Sequence, residues 1–98
     1  MPQYTIDEEQ LTRYAAQLQE QERVPQTIQK YIHDLNALQG YLAGKPLTKT
    51  ALIGWKERLT GIYATATVNS MLAAVNSFLA YMGWPDCHIK ALRLQRQV

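Results

Sequence analysis

Apolar residues recur at helical spacing in four blocks of the 98-residue chain. In the first, Leu11, Tyr14, Ala15 and Leu18 share one face. In the second, Ile28, Tyr31, Ile32, Leu35, Leu38 and Leu42 make a long stripe. Leu52, Trp55 and Leu59 form the inner side of the third. Val68, Met71, Leu72, Val75, Phe78, Leu79 and Met82 form that of the fourth. No useful run alternates with the period of a strand. The punctuation agrees with four helices. Thr5 followed by Glu8 reads as a capping box. Pro25 suits a first turn, and Gly44 with Pro46 makes a stop. Thr48 reads as an N-cap, Gly61 as an end, and the fourth helix begins near Thr65 or Thr67. Gly83 and Pro85 close it. Short connections between long helices predict an all-α, compact four-helix bundle.

The fourth block is unusual on its other side. Between Leu59 and Pro85 there is no Asp, Glu, Lys or Arg. The face opposite the stripe carries Ala66, Asn69, Ser70, Ala73, Ala74 and Ser77. Two readings fit: a helix buried on both sides by neighbours, or a face open to a ligand that approaches closely. The longest apolar run there, Met71–Val75, is far too short for a membrane span. Without a signal-peptide pattern at its N-terminus, the chain is expected to be cytoplasmic.

Composition narrows the classes. Hydrophobic residues are 47% and charged ones 18%, as in a globular domain. The net charge of +2 says little, but its distribution is uneven. Residues 1–22 hold five acids against Arg13, whereas residues 23–98 hold nine bases against three acids. That gradient is compatible with a polyanionic partner. Cys87 stands alone, so neither a disulfide nor a Cys-rich zinc site is expected, and the thiol reads as inert. His33 and His88 lack carboxylates at ligand spacing. No phosphate-binding glycine loop and no nucleophile elbow occurs. The expectation is a chain that is not itself an enzyme, with no metal, cofactor or small-molecule substrate.

Three runs in order carry a resemblance: TIQKYIHDLNALQGYL (Thr27–Leu42), LTKTALIGWKERL (Leu47–Leu59) and ATATVNSMLAAVNSFLAYM (Ala64–Met82). Together they resemble the N-terminal core-binding domain of tyrosine recombinases, the phage-integrase family. Thr27, Ile28, Tyr31, Asp34 and Leu35 fit its first block; Leu52, Trp55 and Leu59 its second; Thr67, Val68, Asn69, Leu72 and Phe78 its third. The trailing HIKALRLQRQ resembles the basic linker toward a catalytic domain. The expected division is therefore a core-binding domain over 1–87 and a linker over 88–98.

The resemblance implies a SAM-like four-helix bundle that grips one side of a recombination-site DNA arm. Catalytic Arg, His and Tyr belong to a separate domain, so no tyrosine here is carried over as the nucleophile. The implied partners are double-stranded DNA and other recombinase protomers, with no membrane. In relatives the second and fourth helices turn their exposed faces and N-termini to the major groove. By position these offer Thr27, Gln29, Lys30 and His33, then Thr65, Thr67, Asn69 and Ser70. Hydroxyls and free N–H groups at a helix start suit phosphates, Lys30 neutralises one, and Gln29 or Asn69 addresses adenine edges. Lys90, Arg93 and Arg96 would track the backbone and add salt-dependent affinity. Ser70 and Asn76 stand where relatives often carry Arg. The acidic first helix would pack against a neighbouring protomer. The competing reading is a stand-alone helical protein–protein interaction module, its Ala66/Ser70/Ala73/Ser77 face covered by a partner helix.

Overall fold

The structure, a computed structural model, describes residues 4–93. Four helices follow one another: α1 (Glu8–Glu20), α2 (Pro25–Leu42), α3 (Lys49–Thr60) and α4 (Thr65–Met82). A single 3-10 turn, Pro85–Cys87, comes after them. The first helix is capped by Asp7 rather than the expected Thr5. The Asp7 carboxylate accepts from the Gln10 N–H, and the Gln10 side chain accepts from the Asp7 N–H. Asp outranks Thr as an N-cap, and Gln10 closes the box from the right distance. Thr48 caps α3 as its spacing predicts, accepting the Ala51 N–H at 3.0 Å. Gly83 ends α4 in the left-handed region at φ 74°, which a residue without Cβ adopts freely.

The apolar stripes meet in one core. Leu35 and Leu38 of α2, Leu52 of α3, and Val68, Val75 and Phe78 of α4 are fully buried. α2 packs on both α1 and α4, and α3 packs on α4. The charge-free face of α4 divides along its length. Towards the C-terminus, Ala74 is buried and the Ser77 hydroxyl pairs with the Tyr14 hydroxyl of α1 at 2.6 Å. From the N-terminus to mid-helix, Ala66 and Ala73 are exposed and Asn69 and Ser70 half-buried. A row of aromatic rings ties the segment before α1 to the residue after the Gly83 cap. Tyr4 stacks on Trp84 at 4.4 Å, Trp84 meets Phe78 edge-on at 6.0 Å, and Phe78 meets Tyr14 at 5.3 Å. Such pairs add to their burial when offset or edge-on.

The chain after Cys87 does not leave the bundle where the expected domain boundary falls. Ile89 is 2% exposed and belongs to the core, and Leu92 packs against it. Residues 88–92 form a strap across α3 and α4. A backbone laid on a protein surface must satisfy its polar groups, and here helix side chains do so. The Lys49 ammonium donates to the His88 carbonyl, and the Lys56 ammonium to the Lys90 carbonyl at 2.7 Å.

Candidate nucleic-acid interface

The helix starts differ in a way that sorts them. α1 and α3 are capped by their own side chains, Asp7 and Thr48. α2 and α4 have no side-chain cap. Their preceding residues, Val24 and Ala64, carry no side-chain acceptor. The first N–H of α4 to find an intrahelical partner is that of Val68, bonded to the Ala64 carbonyl at 3.0 Å. The N–H groups of Thr65, Ala66 and Thr67 lie ahead of it and point along the axis out of the helix. α2 offers less. Pro25 has no N–H, and Thr27 donates to the Val24 carbonyl at 2.9 Å, so Gln26 supplies its one open donor. The open end of α4 therefore presents more free donors than that of α2, at the positive end of an equally long helix.

Around these ends the expected residues fall into three groups. Thr65, Thr67 and Ser70 lie in the first turns of α4, Thr67 exposed and the other two half-buried. Gln29 and His33 are exposed on α2, and Thr27 is half-buried in its first turn. Lys30 is exposed but not free: its ammonium bonds the Asp34 carboxylate at 2.5 Å, one turn further on. Asp34 is only 4% exposed and Lys30 is its partner, so that cation answers a buried carboxylate before it answers a phosphate.

Asn69 changes role. Its amide N–H donates to the Leu92 carbonyl at 2.9 Å, and its amide oxygen accepts the Leu92 N–H at 2.6 Å. Both ends of the amide are used, so it is not available to address a base edge. Asn76 makes the same pair with Ile89, at 2.8 and 2.9 Å. Amides do this because one side chain both donates and accepts, matching one residue of extended backbone. Lys90, on the strap, and Arg93, directly after it, are exposed. Arg96 lies outside the described residues.

Two features escaped the sequence reading. The Asn69–Asn76 pair is one: seven residues apart, both lie on one helix face, a spacing that marks a two-point clamp. The other is an open cleft of about 550 Å³ between α2 and the α3–α4 turn. Gly40, Tyr41, Arg58, Ile62 and Tyr63 rim it, over Trp55. Arg58, exposed at the end of α3, is a cation near the start of α4 that no motif singled out.

The chain's most reactive groups serve packing. Burial pushes the Cys87 thiol up from its ordinary value, with the Asp86 carboxylate adding to the effect. Burial also raises the Tyr14 phenol, partly offset by its hydrogen bond to Ser77. The Tyr4 phenol is raised chiefly by donating to Asp86. Among the described residues no cluster of His, Cys, Asp and Glu has the arrangement to hold a metal ion. No described helix is long and apolar enough to cross a membrane.

No curated protein and no solved structure matches the chain significantly. The sequence profile of the phage integrase N-terminal SAM-like domain matches residues 11–84, from the buried face of α1 to the residue after the Gly83 cap. The matched span takes in most of α1, the whole of α2, α3 and α4, and the uncapped starts of α2 and α4: the chain belongs to the family of phage integrase N-terminal SAM-like domains.

Proposed function

We propose that this domain binds double-stranded DNA, gripping one side of a recombination-site arm and helping to assemble recombinase protomers around it. The observation that carries the reading is the open start of α4. Three successive N–H groups there have no partner within the helix and no capping side chain. Two threonines, Thr65 and Thr67, sit among them. A phosphate oxygen satisfies such donors and is attracted by the helix dipole. Ala66 and Ala73 leave the adjoining face low, so a groove wall can approach closely. Positive charge comes from elements beside α4 rather than from α4, whose sequence has none. Arg58, Lys90 and Arg93 are exposed and make no ion pair among the described residues.

The test is titration with duplex DNA at several salt concentrations, comparing wild type with Thr65→Pro. Proline is tolerated at the first position of a helix, and Ala64 already has the extended conformation (φ −64°, ψ 153°) that a residue before proline prefers. The substitution therefore removes one N–H and one hydroxyl and keeps the helix. The expected result is salt-dependent binding by the wild type and weaker binding by the variant. Binding that is absent at low salt, or indifferent to salt, rules the reading out.

A further inference from the structure

We infer that Asn69 is a positioning residue: with Asn76 it clamps the strap antiparallel along α4 and so sets Arg93 beside the open start of that helix. The inference rests on the DNA-binding reading above and names where that site obtains its charge.

The clamp is geometrically matched. Seven residues of helix from Asn69 to Asn76 span about 10.5 Å, at about 1.5 Å per residue. Their azimuths differ by only about 20°, so both amides face the same way. Three residues of extended chain from Ile89 to Leu92 span about 10 Å, at about 3.3 Å per residue. The two amides thus meet two strap residues in register, Asn76 on Ile89 and Asn69 on Leu92. Because 76 pairs with 89 and 69 with 92, the strap runs towards the N-terminus of α4. The same end lies beside α3: Leu92 packs against the core and lines a shallow cleft with Ile53, Lys56, Glu57 and Thr60. Thr60 is the last residue of that helix, where the chain turns to begin α4.

Arg93 is therefore one Cα step, about 3.8 Å, beyond a residue held at both its N–H and its C=O. Asn69 is itself one turn from Thr65, about 6 Å along the axis. Arg93 is exposed. The charged groups near its neighbour Leu92 are Lys56, which holds the Lys90 carbonyl, Lys90 itself and one carboxylate, Glu57. Bases outnumber the acid here, and α4 contributes no charge of either sign. A phosphate bound at the Thr65–Thr67 donors then lies within reach of a guanidinium whose backbone is already ordered. That lowers the conformational entropy lost on binding.

The experiment is a double-mutant cycle on DNA binding with wild type, Asn69→Ala, Arg93→Gln and the double variant, titrated across salt. Arg93→Gln should weaken binding severalfold and flatten the slope of log affinity against log salt by about 0.9, one phosphate contact. Asn69→Ala should weaken binding to a similar degree and abolish exchange protection of the Leu92 amide. The double variant should bind no worse than Arg93→Gln alone. If the two losses multiply, Asn69 acts on DNA by itself and the inference is overturned. An unchanged slope for Arg93→Gln also overturns it. Should Asn69→Ala not fold, Leu92→Pro replaces it, removing the strap's N–H without touching a helix. If Thr65→Pro weakens binding but Arg93→Gln does not, the DNA reading stands and this inference falls. If the wild type binds no DNA, both fall.

Discussion

Tyr14 shows how much one side chain can join. It is an α1 residue, yet its hydroxyl pairs with Ser77 of α4 and its ring packs on Phe78 and Tyr81. Its spacing marks it as a core residue, but nothing in the spacing says that its hydroxyl would find a serine 63 positions away. Burial raises its pKa above the ordinary 10.0, so the fold favours the neutral phenol. The corresponding stability is complete below pH 10.0 and is lost as pH rises through the raised value. Denaturant unfolding should therefore show a fall in stability above pH 10 that is smaller in Tyr14→Phe. At neutral pH that variant should lose about 1 kcal/mol, because Ser77 keeps a hydroxyl without its partner. Equal alkaline losses in the two proteins would remove Tyr14 as the cause. Cys87 obeys the same logic. Its buried, protonated thiol should react with a thiol reagent far more slowly in the folded protein than after unfolding.

At the scale of elements, the caps decide more than the stripes. The stripes identify four helices, and propensity and punctuation place most of their ends within a residue or two. The start of α1 moves from Thr5 to Asp7 because two acceptors compete and the one with a reciprocal partner, Gln10, wins. The start of α4 raises a different issue, since the residue before it is Ala64. Ala64→Ser should supply the missing cap and stabilise the fold by about 0.5–1 kcal/mol. It should also weaken DNA binding, because the serine oxygen then occupies the N–H groups. A variant more stable in denaturant and equally tight on DNA would dissociate the open start from the function. A second element-level prediction concerns Ala43, the cap of α2, held in the left-handed region at φ 50°. Ala43→Gly should relieve about 1 kcal/mol of strain and raise the melting temperature by about 4–8 °C.

At the scale of the whole molecule, the strap enlarges the folding unit. A charged segment following a helix, Gly83 and Pro85 reads as a linker, and its basic residues support that reading. Ile89 is the exception, set between His88 and Lys90 in a run too short to carry a helical period. The structure buries it fully, beneath a backbone held by Lys49, Lys56, Asn69 and Asn76. Ile89→Ala should accordingly cost about 2–4 kcal/mol in chemical denaturation, as for a core position. A loss near zero would return these residues to the status of a free tail.

The sequence by itself determined the all-α class, the four helices, the inward faces and the family, because these depend on period, punctuation and the order of motifs. Those are local properties, readable within a turn or two. It also marked the charge-free front of α4 as the part to watch. Only the tertiary structure decided what the side chains there do. Asn69 holds Leu92 and, further along the helix, Ser77 meets Tyr14. Each depends on which distant backbone or side chain is brought within about 3 Å, a question of packing that periodicity does not address. The same packing leaves the N–H groups of Thr65, Ala66 and Thr67 open and brings Arg93 towards them, joining two parts of the sequence that are far apart along the chain.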